Sequence, residues 1–74
     1  MQREAIQKRL GARIRTLRKN QGLTQDEFAD KSGFHRAQIG AFENGRMNIT
    51  LASLHLIAET LEVRIIDLFK GVED

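Results

Sequence analysis

Few side chains in this chain could assemble an active centre. The serines are Ser32 and Ser53, the histidines are His35 and His55, and cysteine is absent. Two histidines so far apart in sequence form neither a nucleophile–base triad nor a metal site. No glycine-rich phosphate loop occurs either. Enzymatic activity, a cofactor and a metal are therefore not expected. What remains is the chemistry of cations. Residues 1–22 carry seven Lys or Arg (Arg3, Lys8, Arg9, Arg13, Arg15, Arg18, Lys19) against Glu4, a balance of +6. Residues 23–46 sum to −1 and residues 47–74 to −3. A basic front and an acidic back suit a molecule with one face toward a polyanion, and equally a solvated basic helix.

The elements that must carry these charges are helices. A chain of 74 residues, 41% hydrophobic and without proline, has material for one small core and no obligatory helix breaker. The expectation is one all-α domain over 1–74. Absence of cysteine excludes a disulfide scaffold and fits a reducing compartment. No apolar run approaches the ~20 residues of a membrane span, and no signal-peptide core follows the polar start, so a cytoplasmic protein is expected.

Five helices are predicted. Ile6, Leu10, Ile14 and Leu17 trace one stripe of an amphipathic helix over 3–21, which Gly22 ends. Thr24 and Glu27 form a capping-box pattern for a second helix over 25–32. A third, over 35–43, buries Ile39 and Phe42. Thr50 caps a fourth over 51–61, with Leu51, Leu54, Ile57, Ala58 and Leu61 inward. Val63, Ile65, Leu68 and Phe69 form a last short apolar segment, over 65–70, before an acidic tail.

The segment 25–44 is the most informative. Two short helices joined by a tight turn containing glycine are the helix-turn-helix signature. Ala29 stands where the helices cross and a larger side chain would part them. Gly33 supplies the positive φ of the turn. Phe28, Phe34, Ile39 and Phe42 seal the pair onto the core.

Arg18-Lys19-Asn20-Gln21-Gly22-Leu23-Thr24-Gln25, followed by Ile39-Gly40-Ala41-Phe42-Glu43-Asn44-Gly45, resembles the phage repressor/Cro-type (XRE-like) family of regulators. Leu61-x-Val63 and Leu68-Phe69 continue the pattern, so the resemblance spans about residues 8–70. The length and the Asn48-Ile49-Thr50-Leu51 stretch also resemble controller proteins of restriction-modification systems.

That resemblance implies a five-helix repressor-like domain whose third helix enters the major groove while the second lies across the backbone. Base reading then falls to Arg36, Ala37, Gln38 and Ala41, with Arg36 first, because an arginine can bond guanine O6 and N7 together. Phosphate contacts fall to Gln25, His35, Asn44, Arg46 and Thr50, although Asn44 and Thr50 also suit plain capping. Met47 stands where controller-like relatives carry an arginine, so no base contact is expected there. Arg18 and Glu43 are implied to be an internal ion pair. Lys8, Arg9, Arg13 and Arg15 are expected to be solvated. Gly40 inside the reading helix suits either close backbone approach or tight packing.

A core this small often gains stability by oligomerising. Leu56 lies off the inward stripe and Ile66 adjoins Ile65, so Leu56, Ile66 and Phe69 are the expected surface of a homodimer, with a thicker monomer core as the other reading. The function implied is a transcriptional regulator that binds double-stranded DNA at an inverted-repeat operator, with RNA polymerase a further partner. Control of its own expression fits, as does the controller role. An antitoxin that binds a toxin protein and its own operator is the other candidate.

Overall fold

The computed structural model describes residues 2–73. Four α-helices and one 3-10 helix follow in order: α1 (Arg3–Asn20), α2 (Gln25–Ser32), α3 (Arg36–Glu43), α4 (Leu51–Leu61) and a terminal 3-10 turn (Ile65–Phe69). The expected bounds differ from these by one residue at three ends and coincide at the others. The fifth element is the main difference. It is five residues long and is held at its start by the Asp67 carboxylate, which accepts from the Arg64 backbone N–H at 2.9 Å. So short a segment leaves little room for α-type hydrogen bonds, and the tighter 3-10 form closes it instead.

Caps set the helix starts. Thr24 Oγ1 accepts from the Glu27 backbone N–H at 3.0 Å, while Glu27 Oε1 accepts from the Thr24 N–H at 2.8 Å. Together they satisfy two of the donors that every helix start leaves open. Thr50 Oγ1 likewise accepts from the Ser53 N–H at 3.1 Å. Between α2 and α3, Gly33 adopts φ 85°, the left-handed geometry that turns the chain within three residues.

The core gathers one stripe from each helix. Ile14, Phe28, Ile39, Ile57, Leu61 and Leu68 are fully buried, and Ala29 is buried at the α2–α3 crossing. The Phe34 and Phe42 rings meet edge to face, centroids 5.1 Å apart, which closes the turn over the core. Two apolar positions depart from expectation. Leu51, assigned inward, is 75% exposed, because the first turn of α4 stands clear of the core: Thr50 and Ala52 are exposed with it. Val72, placed in the tail, is buried.

The basic front of α1 is less free than the sequence suggests. Arg13 Nε donates to the Asp67 carbonyl at 2.9 Å, and Arg9 Nη1 donates to the Val72 carbonyl at 3.3 Å. Both were expected to be solvated; Arg9 stays exposed and Arg13 is half-buried. Together they dock the C-terminal segment onto α1 by donating to a carbonyl within the 3-10 helix and to one just beyond it. α1 also crosses α3 very closely. A Cβ at Gly11 would lie 2.3 Å from the Phe42 carbonyl oxygen and 2.7 Å from that of Glu43. Only glycine fits at that crossing.

Candidate nucleic-acid interface

α3 has a buried and an open side. Ile39 and Phe42 face inward and Gly40 is buried, whereas Arg36 and Ala37 are exposed and Gln38 and Ala41 are half-buried. The four positions expected to read bases therefore stay accessible along one short helix. Gln38 is also part of the helix start: its Oε1 accepts from the backbone N–H of His35, the N-cap residue, at 2.9 Å. Its carbonyl is thus committed to the cap, and its amide nitrogen is the group left for outward chemistry. Ala37 and Ala41, one turn apart, offer methyl groups alone.

Arg36 is the first residue of α3. Its Nε lies 3.3 Å from Asp26 Oδ1 in the first turn of α2, and both side chains are more than half exposed. Arg36 also forms a wall of an open cleft completed by Arg15, Arg18, Thr24, Gln25 and Asp26. Arg36 faces Asp26 and Arg18 is neutralised by a carboxylate behind the wall, so the exposed Arg15 leaves the cleft with a surplus of one positive charge. The start of α2 opens into it, and backbone N–H groups there add to its pull on an anion.

Beneath the cleft sits a buried ion pair. Arg18 Nε donates to Glu43 Oε2 at 2.7 Å and Arg18 Nη2 to Glu43 Oε1 at 3.0 Å, while Arg18 Nη1 donates to the Leu23 carbonyl at 2.7 Å. The pairing expected for Arg18 and Glu43 is therefore present, tying α1 to the end of α3. Gln25 Nε2 donates to Glu43 Oε1 at 3.0 Å, which fixes that amide from behind.

Of the residues expected at phosphates, Gln25 shares the cleft with Arg36, and His35, Asn44, Arg46 and Thr50 are exposed. Asn44 is the C-cap of α3 at φ −90°, so it does not take the left-handed geometry that its residue type allows. Gly45 takes it instead, at φ 70°, and packs so closely on α1 that a Cβ there would lie 2.7 Å from Lys8 Cα. Thr50 is engaged in capping α4. Arg15 and Asp26 are the cleft residues that sequence reasoning passed over. Arg15 had a signal, since it lies three residues before Arg18 on one helix face. Asp26 had none.

The surface expected for self-association is mixed. Ile66 is 61% and Phe69 40% exposed, whereas Leu56 is half-buried. Phe69 borders an apolar groove with Ile6, Leu10, Ile49 and Leu54. Among the described residues no group of three or more His, Asp or Glu side chains is placed to hold a metal, and no helix is long and apolar enough to cross a membrane.

Comparison with known proteins places this geometry. The helix-turn-helix family profile matches residues 14–68. The uncharacterized HTH-type transcriptional regulator y4dJ of Sinorhizobium fredii is 35% identical over 69 residues, covering 93% of this chain and 90% of that protein. The restriction-modification controller protein C.AhdI from Aeromonas hydrophila superposes with TM-score 0.81 at 34% identity, over 84% of this chain and 94% of that one. The controller protein C.Esp1396I, solved as a tetramer in complex with its natural 35 base-pair operator, superposes with TM-score 0.81 at 31% identity, over 92% of this chain and 90% of its own.

Proposed function

The chain belongs to the helix-turn-helix family, and we propose that it is a sequence-specific transcriptional regulator that binds an inverted-repeat operator as a homodimer. It acts in the cytoplasm on its own promoter, as the controller of a restriction-modification system. The observation that carries this reading is the placement of Arg36. It opens the exposed side of a short helix and borders a cationic cleft at the start of a second one. Arg36, Ala37, Gln38 and Ala41 read base edges in the major groove. Gln25, His35, Asn44, Arg46 and Thr50 hold phosphates on either side, and Arg15 joins Gln25 in the cleft. No reaction is catalysed.

Ile66 and Phe69, together with the half-buried Leu56, form the two-fold contact. Exposed apolar side chains of this size favour a self-complementary surface. Such a dimer reads half-sites about one helical turn, ~34–36 Å, apart. The likeness to two controller proteins supports the regulatory role, and the operator bound by one of them supports DNA as the ligand.

Selection of bound sequences from random DNA tests the whole reading. An enriched inverted repeat is expected; recovery of unrelated sequences would sink it. Arg36→Ala should then lose about 1–3 kcal/mol of discrimination at one base pair per half-site. Arg46→Ala should weaken binding to all sequences and lower the salt slope by about 1.

A further inference from the structure

Arg36 does not stand alone at the start of α3. Asp26, ten residues earlier and on the other helix of the pair, places a carboxylate oxygen 3.3 Å from its Nε. Gly40, one turn further along α3, completes the arrangement. A Cβ built on Gly40 would meet Arg36 Nη1 at 3.4 Å and no other atom as near, so the guanidinium lies back over the one residue of α3 that has no side chain. Two features on two helices therefore define where this guanidinium sits.

We propose that Asp26 is a positioning residue for base recognition: it holds the Arg36 guanidinium at the mouth of the major-groove site, in space that Gly40 leaves open. The proposal rests on the DNA-reading role given to Arg36 above. A carboxylate at Nε still leaves the Nη1 and Nη2 donors, which suffice for the two bonds to guanine O6 and N7. An unpartnered arginine would surrender most of its rotamer freedom on meeting a base, and a partner that has already narrowed that freedom reduces the loss. The pair is exposed, so its own contribution to folding is small and its attraction is screened by salt.

The charge of Asp26 gives the proposal a signature that a structural role lacks. The carboxylate stands in the cationic cleft at the start of α2, where it opposes phosphate binding. Removing it therefore raises affinity for DNA of any sequence while lowering discrimination at the base pair read by Arg36. The two effects have opposite signs. A residue needed merely for folding would lower both.

The test uses the full chain and the operator selected by the wild-type protein, at one fixed salt concentration. Wild type, Asp26→Ala, Asp26→Asn, Arg36→Ala and the Asp26→Ala/Arg36→Ala double variant are measured on that operator, on operators changed at single base pairs, and on unrelated DNA. The expected result is a fall in discrimination of about two- to fivefold for both Asp26 variants, confined to the base pair that Arg36→Ala affects. Affinity for unrelated DNA should rise, and the double variant should discriminate no worse than Arg36→Ala. Asp26→Glu should recover part of the discrimination. Unchanged or improved discrimination in Asp26→Ala, beside a loss in Arg36→Ala, overturns the positioning role and leaves base reading intact. No loss in Arg36→Ala overturns base reading itself.

Discussion

Arg18 and Glu43 face each other fork to fork, with Nε–Oε2 at 2.7 Å and Nη2–Oε1 at 3.0 Å, and both side chains are less than a tenth exposed. The pair joins α1 to the last residue of α3, so it sets how the reading helix leaves the core. Truncating one partner strands the other charge in a poorly hydrated site. Arg18→Ala or Glu43→Ala should each cost about 3–5 kcal/mol, seen as a lower urea midpoint. Replacing both with apolar residues of similar volume should recover most of that loss. The double variant should still bind its operator less tightly, because Gln25 loses the carboxylate that fixes its amide. Single variants as stable as wild type would show that the pair is not buried in solution.

Gly11 permits the close approach of α1 and α3. The atoms that a Cβ would strike are backbone carbonyl oxygens in the last turn of α3, which cannot swing aside as a side chain could. Gly11→Ala should therefore destabilise by about 1–3 kcal/mol, against the gain of up to ~1 kcal/mol that alanine brings to an open helix position. Urea unfolding decides the sign. A more stable variant would mean that the two helices separate without cost.

Much of this architecture was legible because the relevant signals are local. The stripe through Leu10 and Ile14, the Thr24–Glu27 box and the glycine at 33 each specify a helix face, start or turn within a few residues. The Arg18–Glu43 pair, 25 residues apart, was legible through the family resemblance alone. The remainder depends on what the chain meets after folding. Arg9 and Arg13 read as solvated cations because their acceptors are main-chain carbonyls, which every residue possesses. Gly11 reads as an ordinary helix position until α3 is laid across it. Leu51 keeps the helical period of α4 yet falls where the core has ended. Asp26 reads as a favourable first-turn acid, and its closeness to Arg36 exists because the turn at Gly33 brings the two helix starts together.

Two hydrogen-bonded carboxylates should contribute to a loss of stability in acid. Glu27 is held below its ordinary range chiefly by the Thr24 backbone N–H, and Asp67 chiefly by the Lys70 ammonium and then by the Arg64 N–H. A lowered value in the folded chain means that folding favours the ionised form. The associated stability is complete above the ordinary carboxylate range and is lost as pH falls through the lowered values. Urea midpoints should therefore drop between about pH 5 and about pH 3. Glu27→Gln and Asp67→Asn should each be less stable than wild type at pH 7 and should shallow that decline. A decline just as steep in both variants would assign the loss to other groups.

Gly40 allows helix propensity to be separated from space. It is buried, and the nearest atom to an added Cβ is the flexible end of Arg36 at an ordinary contact distance of 3.4 Å. Gly40→Ala should therefore stabilise the fold by up to about 1 kcal/mol, since alanine loses less backbone freedom in a helix than glycine does. Operator affinity should persist, because the methyl fits beneath the guanidinium. Gly40→Leu needs the volume that Arg36 occupies, so it should displace that side chain and reduce base discrimination toward the level of Arg36→Ala. Measured together, the two variants distinguish a packing glycine from one that admits DNA against the helix backbone. In the second case Gly40→Ala would already lose affinity for every sequence.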